Sequence, residues 1–228
     1  MRNYFKDLNK FELVLWIVSV VVVVLSFVFS QSTDYLTLVA SLIGVTALIF
    51  LAKGFVIGQV LIIVFSAFYG VISFFCRYYG EMITYVFMTA PIALMALISW
   101  IKHPFKETKE VEVNRIHRKD VAVMCALTII VTVLFYFILD FFNTANIFFS
   151  TLSVTTSFLA CYLTYLRSPF YALGYAANDI VLIILWILAA MHDISYISVI
   201  ICFVVFLIND LYGFISWQKM SERQRSGY

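Results

Sequence analysis

Apolar runs of about membrane-spanning length, divided by short polar breaks, recur from residue 11 to residue 217. Crossing a bilayer as a helix takes about 20 mostly apolar residues. The runs predict eight such helices, at 11–30, 35–52, 55–76, 82–100, 121–139, 146–166, 171–191 and 196–217. Connections are short except for the polar stretch 102–120. The first run has residues suited to a signal-peptide cleavage site, Val28 and Ser30, but it exceeds the apolar core of about 7–15 residues typical of such peptides. It is read as a membrane helix. Pro91 lacks a backbone N–H and predicts a kink in the fourth helix, serving as a hinge or as a packing bend. Gly44, Gly58, Gly70, Gly174 and Gly213 permit close helix contact.

Composition agrees with the pattern. Of 228 residues, 64% are hydrophobic and 12% charged, with a mean hydropathy of +1.00, against about 45–50% and about 25% in soluble domains. This excludes a soluble enzyme or a nucleic-acid binder and predicts an all-α integral membrane protein in the cell membrane. The net charge of +2 says little; its placement says more. With eight spans, fourteen of the fifteen Lys and Arg residues fall on one side, and only Arg77 joins Asp34, Asp140 and Asp193 on the other. The positive-inside rule then puts both termini in the cytoplasm. Cys76, Cys125, Cys161 and Cys202 stand singly in apolar runs and read as small filler. His103, His117 and His192 lie in loops, which argues against a metal site. No Gly-rich phosphate loop, metal cluster or activated nucleophile is present, so no cofactor and no enzymatic reaction are expected.

A weak internal repeat supplies an architecture. Ile98-Ser99-Trp100-Ile101-Lys102 ends the fourth helix as Ile215-Ser216-Trp217-Gln218-Lys219 ends the eighth, and residues 51–55 resemble residues 166–170. The offsets, 117 and 115, put each matching pair on the same side of the membrane. The reading is one polytopic domain: an N-terminal helix (1–34), a first three-helix bundle (35–101), a basic linker with a linking helix (102–140), a parallel second bundle (141–218) and a cytoplasmic tail (219–228). Paired bundles with a site between them are a common transporter plan. A competing match, residues 69–73 with 212–216, would set its partners on opposite sides.

Candidate chemistry concentrates in the last two spans, joined by a polar turn at His192–Asp193. Each carries an Asn-Asp pair in its apolar run, Asn178-Asp179 and Asn209-Asp210. A carboxylate at the centre of a spanning helix costs about 2.5–3.5 kcal/mol on insertion scales, so it tends to face a cavity, a partner or a ligand. Asn178 lies seven residues into its run, roughly 10 Å deep at the helical rise, and Asn209 lies at almost the same depth. The pairs are expected to form one polar layer, with Tyr171, Tyr175 and Tyr212 as aromatic neighbours and Gln59, Ser66 and Tyr69 of the third helix as the facing wall. The plainer alternative is that these Asn and Asp residues are interhelical glue. For Tyr171 and Trp186 it is membership of an interfacial aromatic belt. An aromatic pocket with a carboxylate suits a flat or cationic ligand, and Asn suits hydroxyls or a carboxamide. A proton-coupled carrier using Asp179 or Asp210, and a scaffold subunit, stay open.

Several segments taken together resemble the PnuC-type vitamin transporters. They are Ser168–Asp179, Asn209-Asp210-Leu211-Tyr212-Gly213-Phe214 with Trp217, Gly58-Gln59, Phe65–Gly70, Arg77–Met82 and Met88-Thr89-Ala90-Pro91. The likeness runs from about residue 35 onward. It implies a carrier for nicotinamide riboside, a cationic pyridine nucleoside, working by facilitated diffusion and alternating access. The cargo would be trapped by a cytoplasmic kinase, and the carrier would be a homotrimer with a SWEET-like arrangement of bundles. The family's site begins helix seven with a W-x-x-W pattern. Tyr175 matches the second aromatic and Ala172 or Tyr171 the first, with Asp179 four residues beyond Tyr175. Asn209, Tyr212 and Gln59 match polar positions of helices eight and three. Thiamine and riboflavin carriers are related, which keeps thiamine as an alternative cargo.

Overall fold

The structure is a computed structural model that describes residues 4–30, 35–75, 79–191 and 194–227. Asp34, Cys76, Arg77, Tyr78 and the polar turn His192–Asp193, all used above, lie outside the described residues. Eight helices long and apolar enough to cross a membrane are present among the described residues. They are α1 (Lys10–Phe29), α2 (Tyr35–Ala52), α3 (Val56–Phe75), α4 (Tyr79–Ile83, continuing through a π-helical stretch Thr84–Thr89 into Ala90–Lys102), α5 (Arg118–Phe141), α6 (Ile147–Tyr165), α7 (Tyr171–Ala190) and α8 (Ile197–Ser226).

Local chemistry sets the helix ends. Asn9 accepts from the Glu12 N–H and Glu12 returns the favour to the Asn9 N–H, a capping box that starts α1. Pro91 does not break α4; the missing donor sits just beyond the π-helical stretch, which keeps the helix continuous. The eighth helix runs past the apolar segment to Ser226, because Met220, Ser221 and Gln224 are buried on its inner side. The expected tail is therefore an extension of α8.

Six helices form a closed ring. Contacts run α2–α3–α4 on one side and α6–α7–α8 on the other, joined where α2 meets α8 and where α4 meets α6. α1 packs outside on α2 and α8. α5 rests on α6 and leaves Ile129, Ile130, Val133, Leu134 and Phe137 exposed, the surface expected of a helix bathed in lipid.

Residues 103–117 cross one end of the ring as a strap. Val111 N donates to Gly54 O at 3.0 Å and Asn114 N to Arg167 O at 3.1 Å. Gln224 holds the strap from α8, accepting from Val113 N and donating to Val111 O. Lys109 pairs with Asp7, and Arg223 with Glu110. Lys53, Lys102, Arg167, Lys219 and the strap's own cations meet here, so this is the basic end.

The two halves repeat at this end, with a register different from the one expected. α2 and α6 finish in the same turn: Gly54 N bonds Leu51 O and Phe55 N bonds Phe50 O, as Arg167 N bonds Thr164 O and Ser168 N bonds Leu163 O. Both fit the Schellman pattern, with Gly54 (φ 67) and Arg167 (φ 57) in the left-handed region. The equivalent turns are thus 113 residues apart, not 115. Matching by letters misses this because one partner is glycine and the other arginine.

Candidate functional site

A narrow cavity of about 60 Å³ lies at the centre of the ring, smaller than the about 300–1,000 Å³ usual for small-molecule sites, so a nucleoside-sized guest requires the surrounding helices to move apart. Apolar and aromatic walls come from Leu48, Ile62, Phe65, Tyr85, Leu182, Phe203 and Phe206. Gly44 belongs to the wall of α2, and a Cβ there would come within 2.6 Å of the Phe206 ring. The polar groups are Thr89, Ser157, Tyr175, Asn178, Asp179 and Asp210. No Lys, Arg or His is among the described lining residues.

α7 supplies most of the chemistry. Asn178 and Asp179 are consecutive, so they diverge by about 100° around the helix, and the cavity wraps far enough to meet both. The Asn178 amide oxygen accepts from Ser153 Oγ at 3.2 Å and Thr156 Oγ1 at 2.9 Å, which anchors it to α6. Asp179 reaches the other way, into direct contact with the carboxyl of Asp210 on α8. Asp179 Oδ2 and Thr89 Oγ1 are buried with no hydrogen-bond partner. Such atoms are costly unless something fills the space beside them. Two apposed carboxyls in an apolar wall call for a proton or a cationic guest between them. Tyr175 closes the adjoining side, its hydroxyl 3.3 Å from Cys161 Sγ.

The expected site residues separate into groups. Tyr175, Asn178 and Asp179 meet at the cavity. Tyr171 lies beneath, fully buried, edge-on to Tyr175 at 6.1 Å; it is the aromatic that touches Tyr175, whereas Ala172 packs as a small buried residue. Tyr69 is on the walls of two neighbouring cavities further from the basic end, one bounded by Ser41, Phe65 and Phe203, the other by Thr84, Ser153 and Asn178. Gln59 and Ser66 are buried on α3 but are not among the cavity's lining residues, and Gln59 Nε2 and Ser66 Oγ lack partners.

Asn209 and Tyr212 face elsewhere. Asn209 Nδ2 donates to Ser19 Oγ at 2.9 Å and to Val205 O at 2.8 Å, so its amide is directed to α1. Tyr212 donates to Glu12 at 2.8 Å, beside the 3.2 Å Lys53–Glu12 ion pair, in a separate polar pocket at the basic end. The expected layer joining Asn178 to Asn209 is therefore not formed. Depth was matched, but rotation was not: of the α8 pair Asp210 turns inward with Phe203 and Phe206, and Asn209, one residue earlier, turns about 100° away. Thr89, Tyr85, Ser157, Phe65, Phe203 and Phe206 join the wall without having been anticipated. Among 23 phenylalanines no single one stood out. Thr89 carried a faint signal in preceding a proline inside a span.

The comparisons with known proteins bear on this site. The family model described as "Nicotinamide mononucleotide transporter" matches residues 34–219. The chain belongs to that family. A relative from Neisseria mucosa, named nicotinamide riboside transporter PnuC, is 25% identical over 228 residues, spanning 97% of this chain and 86% of its own. A crystal structure of the vitamin B3 transporter PnuC aligns with a TM-score of 0.81 at 23% identity, covering 95% of this chain and 94% of that one. At that identity the second likeness is one of fold. This family member is thus a multi-pass membrane transporter, and its relatives are carriers, not enzymes.

Proposed function

We propose that the chain imports nicotinamide riboside by facilitated diffusion, alternating access to the central cavity between the two membrane faces. The observation that carries this is the lining: an Asp179–Asp210 carboxyl pair and Tyr175, with no cation among the described lining residues. A pyridinium ring gains from an aromatic face and from a nearby carboxylate, most of all where water is excluded. Asn178 and Thr89 suit a carboxamide and ribose hydroxyls. The phosphorylated mononucleotide would bring its phosphate to a wall bearing two carboxyls and no counter-charge, which favours the riboside. The Neisseria mucosa relative's name agrees. Gln59, Ser66 and Tyr69 on α3, with Asn209 and Tyr212 on α8, would act by shaping the helices around the cavity.

In this reading both termini are cytoplasmic, a kinase there traps the cargo by phosphorylation, and the carrier is a homotrimer of SWEET-like paired bundles. Uptake of radiolabelled nicotinamide riboside into proteoliposomes of the purified protein tests it, with the mononucleotide and thiamine as competitors. Saturable uptake blocked by excess riboside and not by the mononucleotide is expected; absence of riboside uptake sinks the substrate. The contact between the two carboxyls also supports a second reading, in which the pair carries a proton with the cargo. Accumulation above equilibrium that a protonophore abolishes would favour that reading, since an uncoupled carrier only equilibrates.

A further inference from the structure

The basic end of the ring is closed by bonds that each half makes to the other. Ser99 and Trp100, at the end of α4, reach across to α6: Ser99 Oγ donates to Tyr165 O at 3.1 Å and Trp100 Nε1 to Thr164 O at 2.9 Å. Ser216 and Trp217, on α8, reach across to α2: Ser216 Oγ donates to Ala52 O at 2.7 Å and Trp217 Nε1 to Leu51 O at 2.8 Å. The acceptors are equivalent, being the last carbonyls of α2 and α6, 113 residues apart. The two indoles are wholly buried and touch, with centroids 5.4 Å apart.

We propose that these four crossed bonds are a latch that holds the basic end shut while cargo enters from the opposite end, and that Tyr171 links the latch to the cavity. This rests on the transport reading above. Opening the basic end requires α4 to leave α6 or α8 to leave α2, and either motion breaks one serine and one tryptophan bond. The latch is releasable. Leu51 O and Thr164 O also accept from the turn amides Gly54 N and Arg167 N, so losing the indole does not leave them bare. Tyr171 lies edge-on to Trp217 at 5.0 Å and edge-on to Tyr175 at 6.1 Å. Trp217 is therefore a positioning residue: it is not among the described lining residues and reaches the cavity through Tyr171 and Tyr175. A ligand that tilts Tyr175 displaces the ring that Trp217 packs against.

The test uses the full chain with Cys76, Cys125, Cys161 and Cys202 replaced by serine or alanine and Ala172→Cys as reporter. Ala172 is fully buried on α7, and a Cβ on Gly213 of α8 would touch both its methyl group and that of Ala52, which places it beside the crossing. A membrane-impermeant maleimide is applied to oriented vesicles from the side bearing the C-terminus, and separately from the other side. Trp100→Phe and Trp217→Phe keep a ring and remove the donor. Each is expected to speed labelling from the C-terminal side about tenfold, as loss of a buried hydrogen bond would. From the other side the rate should stay unchanged. Ser99→Ala and Ser216→Ala, which leave the aromatic column intact, should act in the same direction with smaller effect, and they serve if a tryptophan variant fails to fold. Unchanged labelling in folded variants, or an equal rise from both sides, overturns the latch. Riboside uptake by the same vesicles separates the two ideas: uptake with unaltered labelling defeats the latch alone, and one-sided labelling without uptake defeats the substrate alone.

Discussion

The two Asn-Asp pairs look alike in sequence and are put to different uses. On α7 both members face the cavity, Asn178 tied to the hydroxyls of α6 and Asp179 meeting α8. On α8 the pair is split, with Asp210 inside and Asn209 bonded to Ser19 of α1. The difference arises from neighbours. α7 is enclosed by α6 and α8 with the cavity between them, whereas α8 must also seat α1 along its outer side. The same dipeptide is thus a binding element in one helix and half a structural clasp in the other.

The largest expected effect comes from removing both inward carboxyls. Because the two are in contact, either one alone still supplies an anion, so Asp179→Asn and Asp210→Asn singly should weaken riboside binding about tenfold. The double variant should weaken it by more than about 100-fold, or about 2.7 kcal/mol. Isothermal titration of the three proteins measures this, and a double variant that binds as well as either single one removes the charge argument. Next in size is Asn178→Ala, expected to reduce affinity about fivefold and to leave Ser153 Oγ without this acceptor, while Thr156 Oγ1 turns to the carbonyls of Leu152 and Ser153. Asn209→Ala should do the converse. Affinity should stay within about twofold while the protein loses about 0.6–1.7 kcal/mol of stability, the range of interhelical hydrogen bonds in membranes, seen as a lower unfolding temperature in detergent. If Asn209→Ala instead abolishes binding at unchanged stability, the split of the second pair is wrong. The smallest effect belongs to Tyr212→Phe. Glu12 keeps Lys53 and the Asn9 N–H, so transport should persist and stability should fall by about 0.5–1 kcal/mol.

What is readable without coordinates follows from how bilayers select sequence. The eight spans were visible because hydrocarbon demands long apolar runs, and the basic residues marked one end of every helix they flank. Depth was readable too, since it is only distance along a run. Rotation was not. A helix that is apolar all round has no polar stripe to show which side faces inward, so Asn209 and Asp210 were indistinguishable before α1 was placed beside them. Helix ends beyond the apolar run were hidden for a related reason: Met220 and Gln224 sit in a polar, charged stretch, and their burial depends on the strap at Val111. The repeat was visible through Ser-Trp, which makes the same bonds twice. It was blurred at Gly54 and Arg167, where the same backbone shape is carried by unlike side chains.

The reciprocal caps have a consequence for how the chain assembles. A fragment ending after Lys102 would hold α2 without the serine and indole that finish it, and the remainder would hold α6 in the same condition. Each half is in effect a chaperone for the other's helix end, so severed halves should become stable only when made together.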